Sequence, residues 1–276
     1  MNDEIIIGCP KEVKEFVKRH PSLPTKFDAL HATLKKTFIR EIALPTDADR
    51  AIFFLGRLSA EDFWEIFLLC ANGYGIGGLK ILRGLYERAV TAAYIAKNPE
   101  EAQRFWDYHH VQVGRRFNHA KQVFDMTKHF TAEKIEEIKT SYQSAKEKFQ
   151  ETLCEKCKTT RTQFSWSQLD IASMAAKSRG DLRDLYFPCY FVPTMQSHAT
   201  VQSLLDRLLE EDGLVRFDEA AQPDRADEAL IGAHKVILLV LDTQNGFFKL
   251  GLEDELQGRM ADFMEVWSKQ RELIHN

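Results

Sequence analysis

Arg83 and Glu87 stand one helical turn apart in GYGIGGLKILRGLYERAVTAAYIAKN, residues 73–98. At 100° per residue, Leu79, Leu82, Tyr86, Ala89, Val90 and Ala93 form one wide apolar face, and Ile81, Leu85 and Ala92 form the opposite one. Lys80, Arg83, Glu87, Thr91 and Tyr94 fall in a narrow stripe between them. Apolar surface on both sides predicts a central helix, buried on both sides, over Gly75–Lys97. A guanidinium and a carboxylate there serve one of two ends. They hydrogen-bond other buried groups and fix the packing, or they line a polar pocket for a ligand. The second reading makes Arg83, Glu87 and Tyr94 binding residues.

A second polar set lies in DLYFPCYFVPTMQSHATVQSLL, residues 184–205. His198 is expected in the first turn of a helix capped by Thr194 after Pro193, on the face of Val201, Leu205 and Leu208. That placement points it inward and favours neutral imidazole. Tyr190 and Ser197 are its natural partners. Where the two helices meet, Arg83, Glu87, Tyr190 and His198 would share one site, with His198 as a base or hydrogen-bond donor.

The densest polar stretch is FWDYHHVQVGRRFNHAK, residues 105–121. Tyr108, Gln112, Arg115 and His119 recur at helical spacing and form a secondary candidate face. Arg115-x-x-x-His119 resembles the Arg…His pair of HEPN ribonucleases, helical proteins of toxin and phage-defence systems. That likeness implies metal-independent phosphodiester chemistry, with Arg on the phosphate charge and His198 or His119 moving the proton. The family separates the pair by four to six residues, and here three intervene. Arg271-x-x-x-His275 has the same short gap. The plainer reading is a solvated basic face.

Metal chemistry is weakly supplied. Asp107-x-x-His110 is half of the arrangement that di-iron bundles use, and no His-Glu-x-x-His zinc motif is present. Cys154-x-x-Cys157 is one thiol pair where a structural zinc needs four ligands. These two read as ordinary helix-end cysteines. No metal and no cofactor are expected. His234 shares a face with Leu230, Ile237, Leu238 and Leu241, which predicts a buried structural histidine. GYGIGG lacks the Gly-Lys-Ser/Thr of a phosphate loop, so its glycines are expected to permit a kink or close helix packing.

The elements that must position these residues are helical. Residues 1–24 read as an arm with one short helix near 11–19, and residues 25–276 as a single all-α domain. A helix is expected from Thr25 to Glu41. Residues 46–74 give one long helix or two, the second opened by a capping box of Ser59 and Asp62. Further helices are expected over 100–130, 165–178, 194–212, 225–245 and 253–274. A charged, exposed, projecting helix is expected near 131–158. Strand signals are nearly absent, although residues 210–224 leave room for a short extended piece. Asp212-Gly213 and Asn245-Gly246 read as helix stops. The fold class is all-α, with eight to ten helices.

Composition narrows the function class. A net charge of −4 over 276 residues gives no bulk field for nucleic acid, so any such contact needs a local patch. The first residues lack a signal-peptide pattern, and VILLVL at 236–241 is too short to span a bilayer. Five cysteines without a framework suit reduced thiols, hence a cytoplasmic location. The partner classes left open are a small-molecule ligand and a second copy of the chain, with no membrane. A scaffold role without an active site is the remaining alternative.

The stretch LKILRGLYERAVTAAYI also resembles the L-L-R-x-L-x-E helix of an uncharacterised bacterial family, domain of unknown function 5677. That family carries, further on, a Tyr-rich segment leading to a Ser and a His. Tyr186, Tyr190, Ser197 and His198 match it here. The resemblance covers roughly residues 50–212. It implies an all-α intracellular fold and no established activity.

Overall fold

The structure, a computed structural model, describes residues 8–154 and 156–268. In chain order the first helices are α1 (Pro10–Arg19), α2 (Leu23–Phe38), α3 (Asp47–Ala71), α4 (Gly75–Lys97), α5 (Ala102–Ala120) and α6 (Ala132–Lys148). Strands β1 (Gln150–Cys154) and β2 (Thr159–Thr162) follow. Next come α7 (Ile171–Ser178), α8 (Gly180–Asp184), a π-helical turn over Phe187–Phe191, α9 (Val192–Ser197) and α10 (Val201–Leu205). Strands β3 (Leu208–Glu211) and β4 (Leu214–Phe217) precede α11 (Pro223–Phe248) and α12 (Glu253–Val266).

The chain divides into two compact units. The first holds Met1–Pro45, Asp49–Lys97 and Ile171–Asn276, and the second holds Thr46–Ala48 and Asn98–Asp170.

In the first unit α4 is the central helix. Its Leu79, Leu82, Leu85, Tyr86, Val90 and Ile95 are fully buried. α11 packs along one side of it, and α7, α9 and the π-helical turn pack on others. Small residues set that close approach. A Cβ on Gly75 would strike the Ala226 backbone, and one on Gly78 would sit 3.2 Å from Ala229 Cβ. Both glycines therefore serve close helix packing, as the lack of a phosphate-loop pattern predicts. α11 contributes Leu230, Val236, Ile237 and Leu241, each 2% exposed or less. Burying a Leu or Ile is worth about 1.5–3 kcal/mol each, so this seam dominates the unit's stability. α1 also packs inward: Phe16 is buried and lies edge-on to Phe67, with ring centroids 6.0 Å apart.

Buried His234 accepts a hydrogen bond at Nδ1 from Trp267 Nε1, 3.1 Å away. Burial pulls its imidazole down to about 4, so it is neutral, with its proton on Nε2.

The second unit is built on α5 against α6. Tyr108, Val111 and Phe117 of α5 meet Ile138 and Ala145 of α6 in its core, with Phe149 completely buried. β1 and β2 form an antiparallel hairpin, with Gln150 opposite Thr162.

Several expectations need correcting. Twelve α-helices are found among the described residues rather than eight to ten, because residues 180–205 fold as several helical pieces of five or six residues. Residues 47–71 are one helix without a capping box. Ser59 Oγ donates to Leu55 O at 2.8 Å, and Asp62 pairs with Arg88. The apolar face of Ile52, Phe63 and Ile66 runs through without interruption, so nothing breaks the helix there. The charged helix expected over 131–158 stops at Lys148, and the β1–β2 hairpin takes the rest. Asp212-Gly213 is a hairpin turn rather than a helix stop. Both residues have positive φ, 52° and 74°, which suits a two-residue turn between β3 and β4. Arg271 and His275 lie outside the described residues.

Candidate functional site

The stripe on α4 meets the segment that carries Tyr190. Arg83 is held on three sides. Its Nη1 and Nη2 donate to the two carboxylate oxygens of Glu87 at 3.2 and 3.0 Å. Its Nε donates to Thr194 Oγ1 at 3.1 Å, and Nη2 also reaches Tyr190 Oη at 3.3 Å. The guanidinium carbon lies 5.0 Å from the Tyr190 ring centre, a cation–π contact. The Thr194 hydroxyl in turn donates a hydrogen bond to Tyr190 O at 2.6 Å. Burial, then the Glu87 carboxylate, pushes the Tyr190 phenol above its usual range.

The sequence thus brings Arg83, Glu87 and Tyr190 together through residues 111 apart in the chain or fewer. The seam is shallower than expected. Arg83 and Glu87 side chains are 28% and 33% exposed, so the pair is half-buried. Tyr94, on the same stripe, is buried.

His198 corrects the expectation most clearly. It is exposed, and it ends α9 instead of opening a helix. α9 is only Val192–Ser197, and Thr200 caps α10 by accepting from Ser203 N at 3.2 Å. The Ser-His-Ala-Thr run therefore turns the chain between two short helices. It places Ser197 and His198 outward, into a groove of about 620 Å³.

That groove sits where the start of α4 faces the α9–α10 turn. Lys80, Gln196, Ser197, His198, Ser203 and Arg207 supply its polar lining. Leu69, Tyr74, Ile76 and Phe217 supply the apolar part. Among the described residues, no carboxylate lines it. Arg207 is anchored by donating to the carbonyls of Asp218 and Ala220, both at 3.0 Å. Gln196 is 4% exposed. Its Nε2 donates to the Asp206 carboxylate, and its Oε1 is buried with no partner among the described residues. The carboxylate fixes which way the amide faces, since turning it would set oxygen against oxygen. Asp206 itself is balanced by Gln202 Nε2 at 3.0 Å and Arg225 at 3.5 Å.

Sequence reasoning missed Lys80, Gln196, Ser203 and Arg207 as site residues. Lys80 was visible on the stripe, one turn before Arg83. Arg207 had no signal, because the Asp218 and Ala220 carbonyls that anchor it are brought back to it only by the β3–β4 hairpin.

The secondary face on α5 splits in two. Tyr108 is buried and donates to Gln163 O at 2.9 Å. Arg115 donates to Tyr108 Oη at 2.9 Å and to Thr162 O at 2.7 Å. Gln112 and His119 are exposed. The expected basic, solvated face is therefore half structural: Arg115 ties α5 to β2. The neighbouring face, with His109, His110, Arg116 and Phe117, borders a separate groove of about 420 Å³ against α6.

Among the described residues, no group of three or more His, Cys, Asp or Glu is placed to hold a metal ion. No described helix is long and apolar enough to cross a membrane.

These features define a mostly helical protein with a polar cluster braced on its central helix. A family model matches residues 51–214, described as "Family of unknown function (DUF5677)", and the chain belongs to that family. The match covers α4, the Tyr190 segment and the groove's α9–α10 turn. No curated protein and no solved structure matches the chain.

Proposed function

We propose that this chain binds a small anionic ligand bearing an O–H or N–H donor, in the groove between the start of α4 and the α9–α10 turn. The observation that carries the reading is the buried Gln196 Oε1, without a partner among the described residues, beside a groove whose charged lining is cationic. A buried acceptor without a donor costs roughly 1–3 kcal/mol, and a shift of the Gln196 side chain towards the groove it lines would let a ligand donor recover it. Lys80 and Arg207 favour negative charge, and Ser197, Ser203 and His198 offer further hydrogen bonds. Arg83, Glu87, Tyr190 and Thr194 form the brace that holds the α9 side against α4. Tyr94 belongs to the same stripe, deeper in the core.

This reading is preferred to a ribonuclease because Arg115, the phosphate-binding half of the Arg…His pair, is engaged by Tyr108 and Thr162. It is preferred to a pure scaffold because the groove gathers polar and cationic side chains beside its apolar wall.

Thermal melts test it. Inorganic phosphate and adenosine monophosphate are added against sodium chloride at equal ionic strength. At least one of the two anions is expected to raise the midpoint of the wild type, and to raise that of Lys80→Met or His198→Asn less. Equal shifts in chloride, or in the variants, would defeat the proposal.

A further inference from the structure

The β1–β2 hairpin carries chemistry that the groove does not use. Cys154 ends β1 and Cys157 lies in the turn. Lys158 adopts a left-handed φ of 53°, which swings the chain back so that Thr159 pairs with Cys154 across the hairpin. Residues opposite one another in an antiparallel pair project to the same face. Thr159 Oγ1 lies 2.9 Å from Cys157 Sγ, and Cys154 stands opposite Thr159 in the strand register. Two thiols and one hydroxyl thus share one face of an exposed turn.

We infer that Cys154 and Cys157 form a reversible dithiol that exchanges with low-molecular-weight disulfides. Cys157 is exposed and Cys154 only partly covered, so neither is held for its burial. Hydrogen bonds from the Thr159 hydroxyl, then from Cys154 and the Thr159 backbone, pull the Cys157 thiol down to about 7. A large thiolate fraction at neutral pH makes it the attacking group. The contrast within the chain is sharp. Cys70 and Cys189 are buried, and burial pushes both thiols up to about 12. A disulfide needs only the two sulfurs present, whereas a zinc site within one chain needs ligands that the described residues do not place nearby.

The chemistry balances in two steps. The Cys157 thiolate attacks one sulfur of the small disulfide, whose S–S bond breaks. A mixed disulfide forms, and the first small thiolate leaves and takes up a proton. Cys154, after losing its proton, attacks the Cys157 sulfur. The mixed disulfide breaks, the Cys154–Cys157 bond forms, and the second small thiolate leaves and is protonated. Two electrons pass from the protein dithiol to the small disulfide, which becomes two thiols.

The test incubates the full chain with oxidised and reduced glutathione at varied ratio, quenches with acid, alkylates, and counts modified thiols by intact mass. Wild type is expected to lose two alkylatable thiols without retaining glutathione, and to recover them in dithiothreitol. Cys154→Ser is expected to accumulate one glutathione on Cys157, and Cys157→Ser to react about tenfold more slowly. Three results would overturn the inference. The pair stays reduced in excess oxidised glutathione, or the two variants react at one slow rate. Alternatively, added zinc protects both thiols at one ion per two chains, which assigns the pair to a shared metal site.

Discussion

Arg83 directs N–H groups to Glu87, Thr194 and Tyr190, and its side chain is 28% exposed. Partial exposure moderates the loss when it is removed, since water can rehydrate Glu87. Arg83→Ala is expected to cost about 1–2 kcal/mol in urea unfolding, below the roughly 3–5 kcal/mol of a fully buried pair. A cost at that upper level would mean that Glu87 is sealed from solvent. His234 allows a sharper residue-scale test. Its folded value, about 4, is depressed below the ordinary 6.5. Its contribution is therefore present above pH 6.5 and lost as pH falls towards 4, by about 3 kcal/mol. Asp62 acts with the opposite sign in an overlapping window. Burial raises its carboxyl from 3.8 to about 6, so that stability is lost as pH rises through that range. A difference experiment separates the two. The stability of wild type minus that of His234→Gln should be constant above pH 7 and fall by about 3 kcal/mol by pH 4. A flat difference would show that His234 titrates alike in the folded and unfolded chain, and so is not depressed by burial.

At the scale of elements, α4 is held by what lies on both sides of it. Leu82 is fully buried, and its Cδ2 would lie 3.0 Å from a Cβ placed on Gly232. Leu82→Ala should cost about 2–5 kcal/mol in chemical denaturation, whereas Lys80→Met, on the exposed edge, should cost less than about 0.5. Equal effects would contradict a central α4. This helix was legible because its periodicity is long and its two apolar faces leave a clean polar stripe. The Arg83–Glu87–Tyr190 association was legible as well, since charges between two greasy faces need partners. Residues 179–217 were not. Five-residue helices carry too few turns for a periodic signal, and Pro188 and Pro193 sit inside helical turns where they read as breaks. That is why His198 was assigned to the wrong end of a helix. The β3–β4 hairpin was foreseen only as a short extended piece, because its Asp-Gly turn also fits a helix stop.

At the scale of the molecule, the family match ends at residue 214, before α11 and α12. Yet α11 is the helix that covers α4. A chain truncated after Phe217 would expose Leu79, Leu82 and their neighbours to water. It is expected to lose cooperative thermal unfolding, read by circular dichroism, while a chain ending at Ser268 retains it. A folded, cooperative fragment would show that α11 is dispensable to the core. The net charge of −4 carries its own consequence. Long-range attraction cannot draw an anion to this protein, so binding must rest on the local groove and depend only modestly on salt.

The most direct test of the binding reading is calorimetric titration of adenosine monophosphate and of inorganic phosphate into wild type and Lys80→Met. The account predicts one site per chain for at least one of them, weakened about tenfold by the substitution, or about 1.4 kcal/mol. No saturable heat from either probe, or the same affinity in both proteins, would contradict a cationic ligand groove at the start of α4.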